Sequence, residues 1–171
     1  YLELGVLRHL ALDNSIAFMD SQVGTMKWLP PGRSALRNYT PDMITNDFDG
    51  AITYIEVKPK KALNKAEKER LAQIEVAFNR AGYGFRVITD EDVTYEMFVN
   101  FGHILNAPIH RFEAGFLETV ADSVSATLPS QFTLKQLVEF LSQFSLQICD
   151  YALLRAGLFT FNQKKLLSPD T

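Results

Sequence analysis

Leu4, Leu7, Leu10 and Ala11 recur at helical spacing near the start of the chain, and the pattern stops at Asp13-Asn14-Ser15. Ile16 to Met19 and Met26 to Leu29 read as short strands, and Pro30-Pro31-Gly32 forces a turn. Leu36 to Tyr39 then leads into Thr40-Pro41-Asp42. Met43 to Thr45 and Ala51 to Val57 flank Asp47-Phe48-Asp49-Gly50, and Asp-Gly between two apolar runs predicts a hairpin. Pro59 ends the second of these strands because it has no N–H for a ladder. Leu63, Ala66, Leu71, Ile74, Phe78 and Ala81 form the apolar stripe of a helix whose Lys65, Lys68, Glu69 and Arg80 face outward. Gly82 is placed as its left-handed cap. Phe85 to Ile88 returns as a strand, and Thr89 or Asp90 can cap the next helix. Strand, helix and strand in succession predict a parallel pair. The first part of the chain is therefore expected to be an α/β domain, a mixed sheet flanked by helices, over residues 1–99.

From about Asn100 the pattern turns helical and apolar. Thr133 is a predicted N-cap for LKQLVEFLSQF, and LQICDYALLRAG forms a second helix ending at Gly157. LFTFNQKKLLSP alternates like a short β-ribbon. Two short helices and a ribbon predict a small helical, winged-helix-like C-terminal domain over residues 100–171. The aromatic stretch from Tyr95 to Phe116 reads as core.

Composition narrows the class without deciding the chemistry. Of 171 residues, 47% are apolar and 22% charged, a globular balance, and thirteen Phe point to a well-filled core. The net charge of -3 and a pI near 5.6 matter more. A chain that grips nucleic acid unaided normally carries a basic surplus, because neutralising phosphates supplies most non-specific affinity. A nucleic-acid substrate would require a local basic strip or partners that deliver it. The single cysteine, Cys149, excludes an internal disulfide and a cysteine-based zinc site, and its apolar surroundings predict a buried, inert thiol. No run has the length of a membrane span and no signal peptide is read, so a cytoplasmic protein is expected. The helical pattern is already under way at Tyr1, so further residues are expected to precede it.

The candidate chemistry lies in YTPDMITNDFDGAITYIEVKP. Side chains alternate along a strand, so Glu56 and Lys58 share one face while Ile55 and Val57 point to the other. Glu-x-Lys alone arises roughly once in a couple of hundred residues by chance, and the plain alternative is an ion pair on a solvated sheet face. Context favours chemistry. Asp42 follows a proline at the start of a strand, and a charged pair on a central-looking strand is costly unless used. Two converging carboxylates can hold a hard divalent cation, and a neighbouring ammonium can position water or steady phosphate charge. Glu3, on the first helix, is a possible third acid, although a Glu there is ordinarily solvated or facing the helix dipole. Lys58, Lys60, Lys61, Lys65 and Lys68 form the basic concentration bordering this frame. They suit a phosphate backbone and equally suit the solvated start of an amphipathic helix. His9, His103 and His110 have no metal-ligand spacing, and no Gly-rich phosphate loop or Ser/His/Asp arrangement is present.

The string E-L-G-V-L-R-H-L-A-L-D from Glu3, then Ser21-Gln22, Tyr39-Thr40-Pro41-Asp42 and Ile55-Glu56-Val57-Lys58-Pro59 resembles the TnsA-type endonuclease subunit of heteromeric transposases. That family belongs to the PD-(D/E)xK, restriction-endonuclease-like nucleases. The resemblance covers most of the first hundred residues. It continues weakly to LLRAGLFTFNQKKLLSPDT, similar to the family's winged-helix-like C-terminal region. It implies that Asp42 and Glu56 bind Mg2+ or Mn2+ with the Val57 carbonyl, and that Lys58 orients water or stabilises developing charge. Glu3 matches a helix-borne acid that helps with a second metal, and Gln22 matches a recurrent glutamine. Some family members carry Gln where this chain has Glu56. The resemblance further implies DNA at transposon ends as substrate, whose backbone Lys60, Lys61, Lys65 and Lys68 would meet on the first of the two readings of the basic strip. The implied partners are a TnsB-like transposase and a TnsC-like ATPase. A stand-alone restriction or phage nuclease and an inactive adaptor on the same scaffold remain the alternatives.

Overall fold

A computed structural model describes residues 1–21, 23–146 and 150–168; Gln22 and Cys149, and the expectations attached to them, lie outside the described residues. Two compact units divide the chain, Tyr1–Thr94 and Tyr95–Thr171. The division thus falls at Thr94 rather than at residue 99.

The first unit runs α1 (Leu2–Leu10), β1 (Ile16–Asp20), β2 (Met26–Trp28), β3 (Arg37–Tyr39), β4 (Met43–Asp47), β5 (Ile52–Val57), α2 (Lys65–Arg80) and β6 (Gly84–Ile88). A four-stranded sheet has the order β1-β4-β5-β6, and β2 and β3 form a separate ribbon. β4 is antiparallel to both β1 and β5, whereas β5 and β6 are parallel, so the sheet is mixed as the pattern predicts. The β4–β5 hairpin closes through Gly50, whose φ of 87° only glycine adopts freely, and the Gly50 N–H donates to the Asp47 carbonyl. β5, with a partner on either side, is a central strand.

α2 is fixed at both ends. Asn64 accepts the Glu67 N–H at its start. At its end Tyr83 N–H donates to the Phe78 carbonyl and Gly82 N–H to that of Asn79, with Gly82 at φ 85°. This paired closure is the left-handed cap expected of Gly82. The helix buries Leu71, Ile74 and Phe78 against Tyr39, Tyr54, Phe85 and Val87. Ala66 and Ala81, assigned to the stripe from sequence, are exposed. In α1 the buried residues are Gly5, Val6 and Leu10, while Leu4 and Ala11 are exposed; the apolar face is rotated from the one leucine spacing suggested. Thr89 does not cap a helix either: its N–H and hydroxyl bond the Asp92 carboxylate, and the next helix begins only at Tyr95.

The second unit contains α3 (Tyr95–Leu105), α4 (Phe116–Thr127), α5 (Leu134–Ser142) and α6 (Asp150–Arg155). Leu117, Val124, Leu137, Leu141, Ala152 and Leu153 are central to its core. Thr133 caps α5 as predicted, in a reciprocal capping box with Gln136. The expected ribbon is not formed: among the described residues after Gly157 there is no strand. The segment is held instead by Asn100, a side chain with 0% exposure. Its amide donates to the carbonyls of Gln163 (3.2 Å) and Lys165 (2.7 Å), and its Oδ1 accepts the Leu167 N–H (2.9 Å). A buried amide therefore anchors the turn and the residue that follows it.

Two substitutions test this packing. A Cβ on Gly84 would stand 2.6 Å from Oγ1 of Thr53, its register partner on β5. Gly84→Ala should lower the urea-unfolding free energy by about 1–3 kcal/mol, with partial recovery in Gly84→Ala/Thr53→Ala. Asn100→Ala should cost about 2–3 kcal/mol for three lost bonds. Hydrogen exchange should show the Leu167 amide losing protection first.

Candidate functional site

Pro41 is buried and delivers Asp42 to the foot of β4. The Asp42 N–H donates to the Ile55 carbonyl at 3.0 Å, and Met43 pairs with Ile55. Asp42 lies just before the first ladder pair, next to the end of β5. Asp42 Oδ2 accepts the Val57 N–H at 2.6 Å. Its Oδ1 accepts nothing from the described residues. This half-buried carboxylate thus ties the start of β4 to the end of β5.

Glu56 is 4% exposed, which would be prohibitive for an unpartnered carboxylate. Both of its oxygens are engaged. Oε2 accepts the Tyr39 hydroxyl at 2.5 Å, and Oε1 meets the Lys58 ammonium at 2.7 Å. Lys58 leaves β5 on the same face, its backbone N–H held by the Ile88 carbonyl. Its hydrogen bond to Glu56 raises the ammonium above its ordinary range, with the charge of Asp42 adding to the effect. Tyr39 is pushed well above the ordinary tyrosine range, first by burial and then by its bond to Glu56. The phenol is accordingly a proton donor throughout the physiological range.

A second layer comes from α2. Arg70 grips Glu67 in a fork, Nε to Oε2 at 2.8 Å and Nη2 to Oε1 at 2.7 Å. The fork holds Glu67 below and Arg70 above their ordinary ranges. The guanidinium carbon lies 5.7 Å from the centre of the Tyr39 ring.

The structure therefore brings together Asp42, Glu56, Lys58 and the Val57 backbone. Glu3 stands exposed on the first turn of α1, with no bond to these residues. Among the described residues no three His, Cys, Asp or Glu side chains gather as a metal cluster, so Glu3 does not join Asp42 and Glu56. In the basic strip, Lys60 is committed to an ion pair with Glu91, and its N–H to Asp90. Lys61, Lys65 and Lys68 are exposed. The hydroxyl of Tyr39 and the Glu67–Arg70 fork escaped sequence reasoning. Their signals were present: a tyrosine in an apolar frame needs a partner for its hydroxyl, and Glu67 and Arg70 stand one helical turn apart.

No family model matches this chain, and no curated protein is significantly similar to it.

Removing Lys58 leaves a buried carboxylate short of a partner. Because Lys58 is itself 29% exposed, Lys58→Met should cost about 1–3 kcal/mol rather than the full penalty of a dry ion pair. Glu56→Gln in the same chain should recover most of it, which urea unfolding would show. Tyr39 and Lys58 both have folded values raised above ordinary values of 10.0 and 10.5. Their contribution to stability is present below about pH 10 and lost as pH rises through the folded values. The variant lacking both partners' charges should show a flatter alkaline limb.

Proposed function

We propose that this protein is a divalent-metal-dependent DNA endonuclease, the TnsA-type subunit of a heteromeric transposase, hydrolysing one strand at each transposon end. The observation that carries this reading is that Asp42, bonded to the Val57 N–H, and the Glu56–Lys58 pair meet at the end of β5. The donors are hard oxygens, and one oxygen of Asp42 is uncommitted, which fits Mg2+ or Mn2+. Asp42 and Glu56 would hold the ion, with the Val57 carbonyl as a third donor. When bound, the metal supplies Lewis acidity toward a phosphodiester oxygen and an acidified water. Lys58 would be drawn from Glu56 toward the attacking water or the developing phosphorane charge.

The mixed sheet flanked by helices supports a restriction-endonuclease-like first unit. In the second unit, α5 and α6 are compatible with the helical part of the winged-helix-like reading, while among the described residues after Gly157 there is no strand. An overall charge of -3 fits a subunit placed on DNA by others, a TnsB-like transposase and a TnsC-like ATPase, the latter on the second unit. Lys61, Lys65 and Lys68 remain exposed for phosphate contact, and a cytoplasmic setting goes with the same reading. Among the described residues no helix is long and apolar enough to cross a membrane.

One observation favours a second reading. Glu56 has both oxygens satisfied within the chain, as a purely structural buried network would require. On that reading the protein is a non-enzymatic adaptor. Asp42→Ala decides between them. It should retain partner binding and lose at least about 100-fold in strand cleavage in a reconstituted reaction. Undiminished cleavage would defeat the site assignment. Cleavage by the purified wild-type chain with magnesium alone would instead identify a stand-alone nuclease.

A further inference from the structure

The buried tyrosine beside Glu56 has more constraint on it than packing requires. Its ring meets Phe78 at 6.0 Å and Phe85 at 6.1 Å, both edge-on, and Arg70 lies over it. Arg70 is in turn anchored by two bonds to Glu67. These contacts brace the ring, and its hydroxyl donates to one oxygen of Glu56, Oε2. Asp42 is restricted in the same sense, with Oδ2 fixed by the Val57 N–H. Each carboxylate has one oxygen committed to a donor that cannot leave, a buried phenol or a backbone amide. What remains is Asp42 Oδ1, which is uncommitted, and Glu56 Oε1, held by a flexible and partly exposed lysine.

The geometry points to Tyr39, braced by Arg70, as a positioning residue that limits Glu56 to a single metal-binding oxygen and so selects a small, water-retaining cation over Ca2+. This inference rests on the metal-site reading above and adds to it the residue that sets selectivity. The physical basis is the difference between the ions. Mg2+ and Mn2+ accept six ligands, one oxygen from each of a few carboxylates, with water completing the set. Ca2+ takes six to eight oxygens and is commonly gripped by both oxygens of one carboxylate. A phenol locked on Oε2 denies it that second oxygen. The phenol thereby fixes which oxygen is left for a metal, as outer partners of metal ligands generally do.

The test is calorimetric titration of the full chain with MnCl2 and with CaCl2, in wild type, Tyr39→Phe, Arg70→Gln and Asp42→Ala. Phenylalanine keeps the ring packing, and circular dichroism verifies that the variant is folded. Tyr39→Phe should raise the Mn2+ dissociation constant about tenfold and leave Ca2+ binding unchanged or tighter. Arg70→Gln, on the accessible side of α2, should move the ratio the same way by less. A ratio of Mn2+ to Ca2+ affinity unchanged in folded Tyr39→Phe, or equal loss of both ions, overturns the positioning role. A wild-type chain that binds no Mn2+, or an Asp42→Ala chain that binds it as well as wild type, overturns the metal site itself and this inference with it.

Discussion

The Glu56 carboxylate is a charge buried on a central strand, and the surrounding first unit is arranged to make it tolerable. An isolated carboxylate there would be forced toward its neutral form, because the desolvation penalty is several kcal/mol or more. Two donors from two places offset it. Tyr39 arrives from the β2–β3 ribbon and Lys58 from two residues along the same chain. The ribbon, which is not part of the main sheet, is thereby keyed to the centre of it. α2 completes the arrangement by packing Phe78 on Tyr39 and placing Arg70 over its ring.

That arrangement also explains why the same residues suit both a structural and a chemical role. A buried ion pair contributes little net stability compared with apolar residues of similar volume. Its presence on β5 beside Asp42 is therefore what the proposed metal site would account for. The donors differ in how readily they yield. The phenol and the Val57 amide are held by packing and by the sheet, whereas the lysine is long, flexible and partly exposed. A ligand entering this group would meet Lys58 as the part that moves and Tyr39 as the part that does not.

The second unit follows a different logic. Its helices bury an apolar core, and Asn100, the buried polar side chain among its described residues, bonds the last described segment. A side-chain amide with two donors and an oxygen can replace a strand partner when no water competes for it. The segment from Leu158 to Ser168 accordingly contains no strand and folds back through a turn closed by the Lys165 N–H on the Asn162 carbonyl.

Local rules settled much of this protein from sequence. Proline and Asp-Gly placed the ends of β4 and β5, Gly82 and Thr133 placed helix boundaries, and period-two alternation put Glu56 and Lys58 on one face. These depend on neighbours within a few residues, which a sequence displays directly. Rotation of the buried face of α1, the lost ribbon and the isolation of Glu3 were not legible, because each depends on residues distant in the chain. The site divides the same way. That Asp42 begins one arm of a hairpin and Glu56 and Lys58 end the other was read from the turn between them. That Glu56 would be buried, and that Tyr39 and Arg70 would surround it, was decided only when α2 and the ribbon packed on the sheet. Burial is a property of the whole assembly of elements, and it is burial that turns a common Glu-x-Lys into a constrained site.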